Sequence, residues 1–359
     1  MALTQIEDGV ITDSILTLGK LITTGTASST TVLKGDFSWG AGASSSGKWN
    51  TADSAPGTPV AGDVWYTGGT IYIAIATADA TGQWASAPSM TQIRDYTKGC
   101  GTQTAAIVCG KEYSNVTDVY NGTSWAAGGS MLFTGAYQMQ GGTQSAAWMA
   151  GGRAQGSSTN RTDAALYDGT SWAATGSLQT GVWLGQGFGL QSAGVACGGN
   201  DGSVSDTTEE FNGSSWSAAN NMLSNRGEGV ATGNLTAGLT MGGESASGGH
   251  TSSEEYDGTS WSAGGTVPYN GTKGQGGTGL QTASLMWGGA TTLTTNVQYD
   301  GTTWSFVSPL IIGRQSLSAG AGSTTAGLVA GGRNNNIKIA ESEEWSLGGA
   351  FNAKMVGYT

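Results

Sequence analysis

The residues best suited to chemistry are few, and their positions in the chain decide what they can do. A single histidine, His250, stands in a Ser/Gly-rich stretch, SASGGHTSSEE. Acid pairs recur at Glu209-Glu210, Glu254-Glu255 and Glu343-Glu344, and aspartates recur at Asp168, Asp257 and Asp300. Ser-His-Asp chemistry would have to use His250, and no G-x-S-x-G turn leads into a helix pattern. Neighbours in a strand point to opposite faces, so the two glutamates of a pair cannot flank one substrate as acid and base. Their recurrence at one phase of a repeat marks them as structural. The aspartates belong to turns, where a carboxylate and a loop carbonyl could hold Ca²⁺ only weakly. Cys100, Cys109 and Cys197 are an odd set without C-x-x-C spacing, which points to neither a disulfide framework nor a zinc site. The expectation is a chain with no catalytic residue, no cofactor and no metal, and hence not an enzyme.

The elements that carry these residues are set by a repeated phrase, aromatic-Asp/Asn-Gly-Thr/Ser-Ser/Thr-Trp. It reads Tyr120 to Trp125 (YNGTSW), Tyr167 to Trp172 (YDGTSW), Phe211 to Trp216 (FNGSSW), Tyr256 to Trp261 (YDGTSW) and Tyr299 to Trp304 (YDGTTW). A truncated sixth copy ends on Glu343-Glu344-Trp345. The leading aromatics are 47, 44, 45, 43 and 46 residues apart. That period, with strand-like runs and paired glycines (WMAGG, VACGG, LTMGG, LMWGG, LVAGG), predicts an all-β, six-bladed β-propeller with one blade per repeat. The Asn-Gly or Asp-Gly step predicts a type I′ hairpin turn between the third and fourth strands. Glycine and alanine in the inner strand fit the crowding around a central channel.

Composition agrees with such an architecture. The 63 glycines recur at fixed repeat positions, and only 11% of residues are charged. A net charge of −11 with thinly scattered basic residues argues against nucleic-acid binding. No run approaches a membrane span, and no basic region followed by an apolar core opens the chain, so synthesis in a cytoplasm without signal-directed export is expected.

Ahead of the repeats, residues 1–40 read as an amphipathic arm that either frays against its own domain or docks on a partner. Residues 41–81 read as a Gly/Ser/Ala/Pro linker (41–62) followed by a small β-hairpin module (DVWY, TGG, TIYIAIA). Residues 82–347 make the propeller and 348–359 a C-terminal tail. In the last repeat Trp345 takes the Tyr position and the DGTSW step is missing. Trp84, in QWASAPSM, lies 41 residues before Trp125 in SWAAGGSM, so the strand beginning at Trp84 is expected to complete the last blade. A local strand around Phe351 is the alternative.

The repeats resemble kelch motifs, with paired glycines, an aromatic-acid step, a Trp, then Met or Leu and sometimes Arg (Met90 with Arg94, Met222 with Arg226, Leu310 with Arg314). Gly135, Val182 and Gly271 stand at the Arg position of the other copies, which departs from that pattern. Residues 1–40 resemble N-terminal segments of tailed-phage appendage proteins of the marine and cyanobacterial phage type, through ALTQIEDGVITDSILTLGKL and GTASSTTVLKGDFSW. Residues 62–84 are similar to a small module recurrent in such proteins. The resemblance implies a virion structural protein, tail-fibre-like or capsid-fibre-like, assembled in a host cytoplasm and located on the virion surface. Residues 1–40 would attach it to other virion proteins, and a homotrimer is the implied oligomer. Its propeller head would then bind host surface glycan, with Tyr137, Trp183 and Tyr269, aromatics outside the repeat phrase, as ligand-binding candidates. The alternatives are a non-adhesive decoration or cement protein of capsid or tail and, more distantly, a glycan depolymerase.

Overall fold

The computed structural model describes residues 82–347 except 112–113, 155–158, 270–273, 290–292 and 317. It also describes, as backbone strands, residues 31–33, 39–41, 49–50, 64–67, 70–74 and 353–356. The chain divides into two compact units, residues 80–347 and residues 1–79 with 348–359.

The larger unit is a β-propeller of six four-stranded antiparallel sheets. Blade 1 comprises Lys98–Thr102, Ala105–Lys111, Ser114–Tyr120 and Trp125–Ala127 from the channel outward. The inner strands of blades 2 to 6 are Met139–Thr143, Gln186–Leu190, Val230–Asn234, Gln275–Leu280 and Ala319–Gly322, and each packs on the inner strands of its two neighbours, closing the ring. The outer strands of blades 2 to 5 start at Trp172, Trp216, Trp261 and Trp304. The outer place in blade 6 is taken by Gln83–Ala87, which pairs with Ser342–Ser346 so that Trp84 lies opposite Trp345. Phe351 lies outside the described residues.

Each phrase aromatic faces the Trp of its own hairpin, as Tyr167 faces Trp172, with ring centroids 4.8 to 5.0 Å apart in all five complete copies. That register leaves four residues in the loop and overturns the expected type I′ turn. Only the glycine of the phrase has positive φ, for example +94° at Gly169, and the residue before it does not. The Asn or Asp side chain organises the loop instead: Asp168 Oδ1 accepts the Thr170 and Ser171 amides at 2.8 and 2.7 Å. Asn121, Asn212, Asp257 and Asp300 do the same in their blades.

Among the described residues the core is a set of six apolar clusters, each spanning two adjacent blades. Trp125, for instance, packs with Ala106 and Val108 of its own blade and with Ala319, Ala321, Leu328 and Ala330 of blade 6. Four outer Trp residues donate their indole N–H to a hydroxyl of the preceding blade: Trp125 to Ser342, Trp172 to Thr117, Trp261 to Thr208 and Trp304 to Ser253. At the seam, Trp84 packs 5.4 Å from both Trp287 and Trp345, a cluster whose edge-on and tilted rings suit their quadrupoles.

In the smaller unit, Trp49–Asn50, Val64–Thr67, Thr70–Ala74 and Ala353–Val356 form one sheet. Val64–Thr67 and Thr70–Ala74 are the hairpin read from DVWY and TIYIAIA. Residues 353–356, read from sequence as part of a tail, are a strand antiparallel to Thr70–Ala74. Most of the arm expected over 1–40 and of the linker over 41–62 lies outside the described residues.

Candidate functional site

One face of the ring carries the links between blades and the loops between second and third strands. At the entry to each inner strand a residue adopts the left-handed conformation: Tyr96, Tyr137, Leu184, Glu228, Gly274 and Ser316. Several of these are joined head to tail by backbone hydrogen bonds: Tyr96 N donates to Ser316 O, Leu184 N to Tyr137 O, Glu228 N to Leu184 O and Gly274 N to Glu228 O. For an L-residue this conformation costs about 1–2 kcal/mol, so the girdle is held by its neighbours and not by local preference.

Beside this girdle, between blades 2 and 3, lies a groove of about 520 Å³ lined by Arg153, Asn160, Thr180, Gly181, Trp183, Asn200, Asp201 and Gly202. Trp183 is fixed by a two-way backbone pair with Asn200, N to O at 3.2 Å and O from N at 2.8 Å. Asn160 Nδ2 donates to Asn200 O at 3.0 Å and ties the two loops together. Tyr137 meets Trp183 edge-on with centroids 5.2 Å apart, and Tyr96 meets Tyr137 at 4.7 Å. The Arg153 guanidinium lies 4.8 Å from the Trp183 ring. Two of the three sequence candidates, Tyr137 and Trp183, are therefore brought together and half-buried. Tyr269 is elsewhere: it lies on the link into blade 5, packs on the core and donates its hydroxyl to Gly288 O at 2.9 Å.

The groove's charges are one guanidinium and one carboxylate, which balance. An aromatic surface beside planar amides, a hydroxyl and a carboxylate suits a ligand with an apolar ring face and several hydroxyls, held without covalent chemistry.

The remaining chemistry-bearing residues have structural partners. His250 donates from Nε2 to Asn225 O at 3.1 Å and accepts from Ser252 Oγ at 3.4 Å through Nδ1. Partial burial and the nearby Arg226 hold its imidazole below the usual range. Ser252 Oγ in turn accepts from Arg226. The acid pairs divide their labour between blade faces. The first acid accepts from the preceding link: Glu209 from the Gln179 and Thr180 amides, Glu254 from Leu223 N and Glu343 from Ile311 N. The second reaches the tyrosine of the next blade: Glu210 with Tyr256, Glu255 with Tyr299 and Glu344 with Tyr120, at 2.5 to 2.7 Å.

The irregular arginine of the repeat is explained by the same contacts. Arg94, Arg226 and Arg314, all fully buried, pair with Asp118, Glu254 and Glu343 at 2.9, 3.1 and 2.8 Å. Each also donates to the first glycine carbonyl of the following turn, Gly110, Gly242 or Gly331. Blades 2 and 5 carry Ala165 and Val297 at the acid position and Gly135 and Gly271 at the arginine position; Gly271 lies outside the described residues. Blade 3 keeps Glu209 but has Val182, and the two backbone amides serve its carboxylate instead.

A further set of residues went unread in the sequence. Gln103, Gln144, Gln191 and Gln281 each sit one residue past an inner strand and donate to two carbonyls of the preceding blade, as Gln144 does to Ala106 O and Tyr120 O. The signal was present as G-x-Q-S/T-A, with Leu235 and Thr324 replacing Gln in blades 4 and 6. The cysteines are buried, and burial pushes the Cys100 and Cys197 thiols up to about 12. Among the described residues no group of three or more His, Cys, Asp or Glu could hold a metal ion.

No protein family and no curated protein matches the chain in sequence. A solved structure described as "Structure of YjhT" is similar in fold, with a TM-score of 0.62 and 12% identity over 71% of this chain and 95% of that one. At that identity the likeness carries the β-propeller fold alone.

Proposed function

We propose that the chain is a virion surface appendage whose propeller binds a neutral host-surface glycan in the groove between blades 2 and 3. The observation that carries the binding reading is Trp183, half-buried, backed edge-on by Tyr137 and joined by Asn160, Asn200 and Asp201 in one depression. The virion setting draws on the resemblance of residues 1–40, which would fasten the protein to other virion proteins, with a homotrimer as the implied assembly. In this reading the groove binds and does not cleave.

A glycan array probed with the wild-type protein and with Trp183→Ala tests the reading. Selective binding is expected, weakened tenfold or more by the substitution, a change of about 1.4 kcal/mol per tenfold. Equal binding by both proteins would move the site away from the groove, and released sugar would restore the depolymerase alternative. Probing purified particles with an antibody against the propeller tests location, and the absence of label would remove the virion setting.

The non-adhesive alternative draws on a different observation. Ile93, Leu132, Leu223 and Ile311, all on links between blades, are each more than half exposed. An apolar rim of that kind suits contact with another protein. Binding of no glycan at all would favour this reading.

A further inference from the structure

Every inner strand stands at the end of its sheet's strand order, so one edge of its backbone has no ladder partner. Six such edges surround the axis. Glycine recurs among the residues that face it, leaving backbone N–H and C=O groups uncovered by side chains. They enclose a void of about 110 Å³ that continues into a smaller one of about 40 Å³ near the strand starts; Gly99, Gln140, Gly187, Ala231, Gly277 and Gly320 border both. A single water needs roughly 10–15 Å³ of such space, so each void has room for more than one.

Lys98 carries the one formal charge among the residues lining either void. It starts the inner strand of blade 1, yet its ammonium donates to Gly229 O, at the entry to the opposite blade 4, at 3.2 Å. The ammonium therefore reaches across the axis, with two further N–H donors for whatever the void contains. The adjacent Gln140 side chain, nine-tenths or more buried, donates from Nε2 to Cys100 Sγ at 3.3 Å, while its Oε1 has no protein partner. The other titratable groups acting on Lys98 are Glu228, on the girdle, and Cys197. Neither lines the voids.

We propose that the channel binds a small inorganic anion of halide size, held by the Lys98 ammonium and the free backbone N–H groups of the glycine-rich edges. A cation would meet the one formal charge of the lining with the wrong sign. A larger oxyanion, with more charge to neutralise, would call for more than one basic partner. Burial lowers the Lys98 pKa to about 8, partly offset by Glu228 and Cys197. Burial thus works against the ammonium charge, and an anion beside it would offset that cost.

The test is anomalous diffraction from crystals of the full chain soaked in bromide, together with melting temperature against chloride at constant ionic strength, balanced with gluconate. Wild type should show a bromide peak within hydrogen-bonding reach of Lys98 Nζ and a rise in Tm with chloride; Lys98→Met should lose both. No peak in wild type, an adventitious ion only on the outer surface, or a peak retained in Lys98→Met would overturn the proposal. If Lys98→Met does not fold, wild type at a pH of about 10 replaces it, because the ammonium is then largely neutral. Chloride stabilisation persisting there would also overturn the proposal.

Discussion

Arg226 and Glu254 show how one residue's presence depends on another's. Both are buried, and removing one partner of such a pair leaves an uncompensated charge at a cost of about 3–5 kcal/mol, whereas an apolar replacement of both is often neutral. Blades 2 and 5 already carry the apolar solution at the acid position, through Ala165 and Val297. Arg226→Met should therefore destabilise by about 3–5 kcal/mol, while Arg226→Met with Glu254→Val recovers most of the loss. Urea unfolding of the two variants decides this, and a double variant no better than the single would count against it. Asp168, Asp257 and Asp300 make a second prediction. Backbone amides, chiefly Ser171 and Thr170 for Asp168, hold these carboxyls below the usual range. A depressed folded-state pKa gives stability that is present above the unfolded value and lost as pH falls through the folded one. Carboxyl chemical shifts followed below a pH of about 4 should show all three titrating late, whereas Asp168→Asn, the residue that Asn121 and Asn212 already provide, should remove that dependence with little change in stability.

The elements are positioned by glycines that have one task each. The last glycine of the inner strand, Gly142 in blade 2, has φ +105°, and a Cβ there would lie 2.3 Å from Ala146 O. Gly142→Ala should thus destabilise by more than the roughly 1 kcal/mol of an ordinary unfavourable backbone substitution, as thermal melting would show. The same turns hold the glutamine clasps, and Gln144→Ala should cost about 1–3 kcal/mol by leaving the carbonyls of Ala106 and Tyr120 without their donor. Blade count, strand order within a blade and the structural role of the acid pairs were legible, because each repeats at a fixed phase. The hairpin turn type was misread, since Asp-Gly and Asn-Gly also suit a longer loop in which the side chain caps backbone amides. The groove was legible only in part. Trp183 and Tyr137 stood out as aromatics outside the phrase, but they are 46 residues apart and only the ring brings them together. Tyr269 stood out for the same reason, yet its hydroxyl is committed to Gly288.

For the ring as a whole, the weak point is the seam in blade 6. Its fourth strand comes from the other end of the repeat region, and its packing rests on Trp84 against Trp287 and Trp345. Trp84→Ala should cost about 3–5 kcal/mol, the range for deleting a buried large aromatic. A larger loss than for Trp172→Ala is expected, since an opened seam frees two blades from each other; equal losses in a denaturant series would mean that the ring does not depend on closure.

That seam also sets a timetable for synthesis. Trp84 and Trp345 are 261 residues apart, and at about 5–20 residues per second a ribosome makes the closing strand tens of seconds before its partner. Joining the ends of so long a segment carries an entropic cost of about 5 kcal/mol from its length alone. Through that interval Gln83–Ala87 is a strand without a sheet, and blades 1 to 5 form an open arc whose terminal faces are uncovered. Translation arrested before residue 342 should therefore leave a protease-sensitive, association-prone chain, and release after residue 346 a resistant ring.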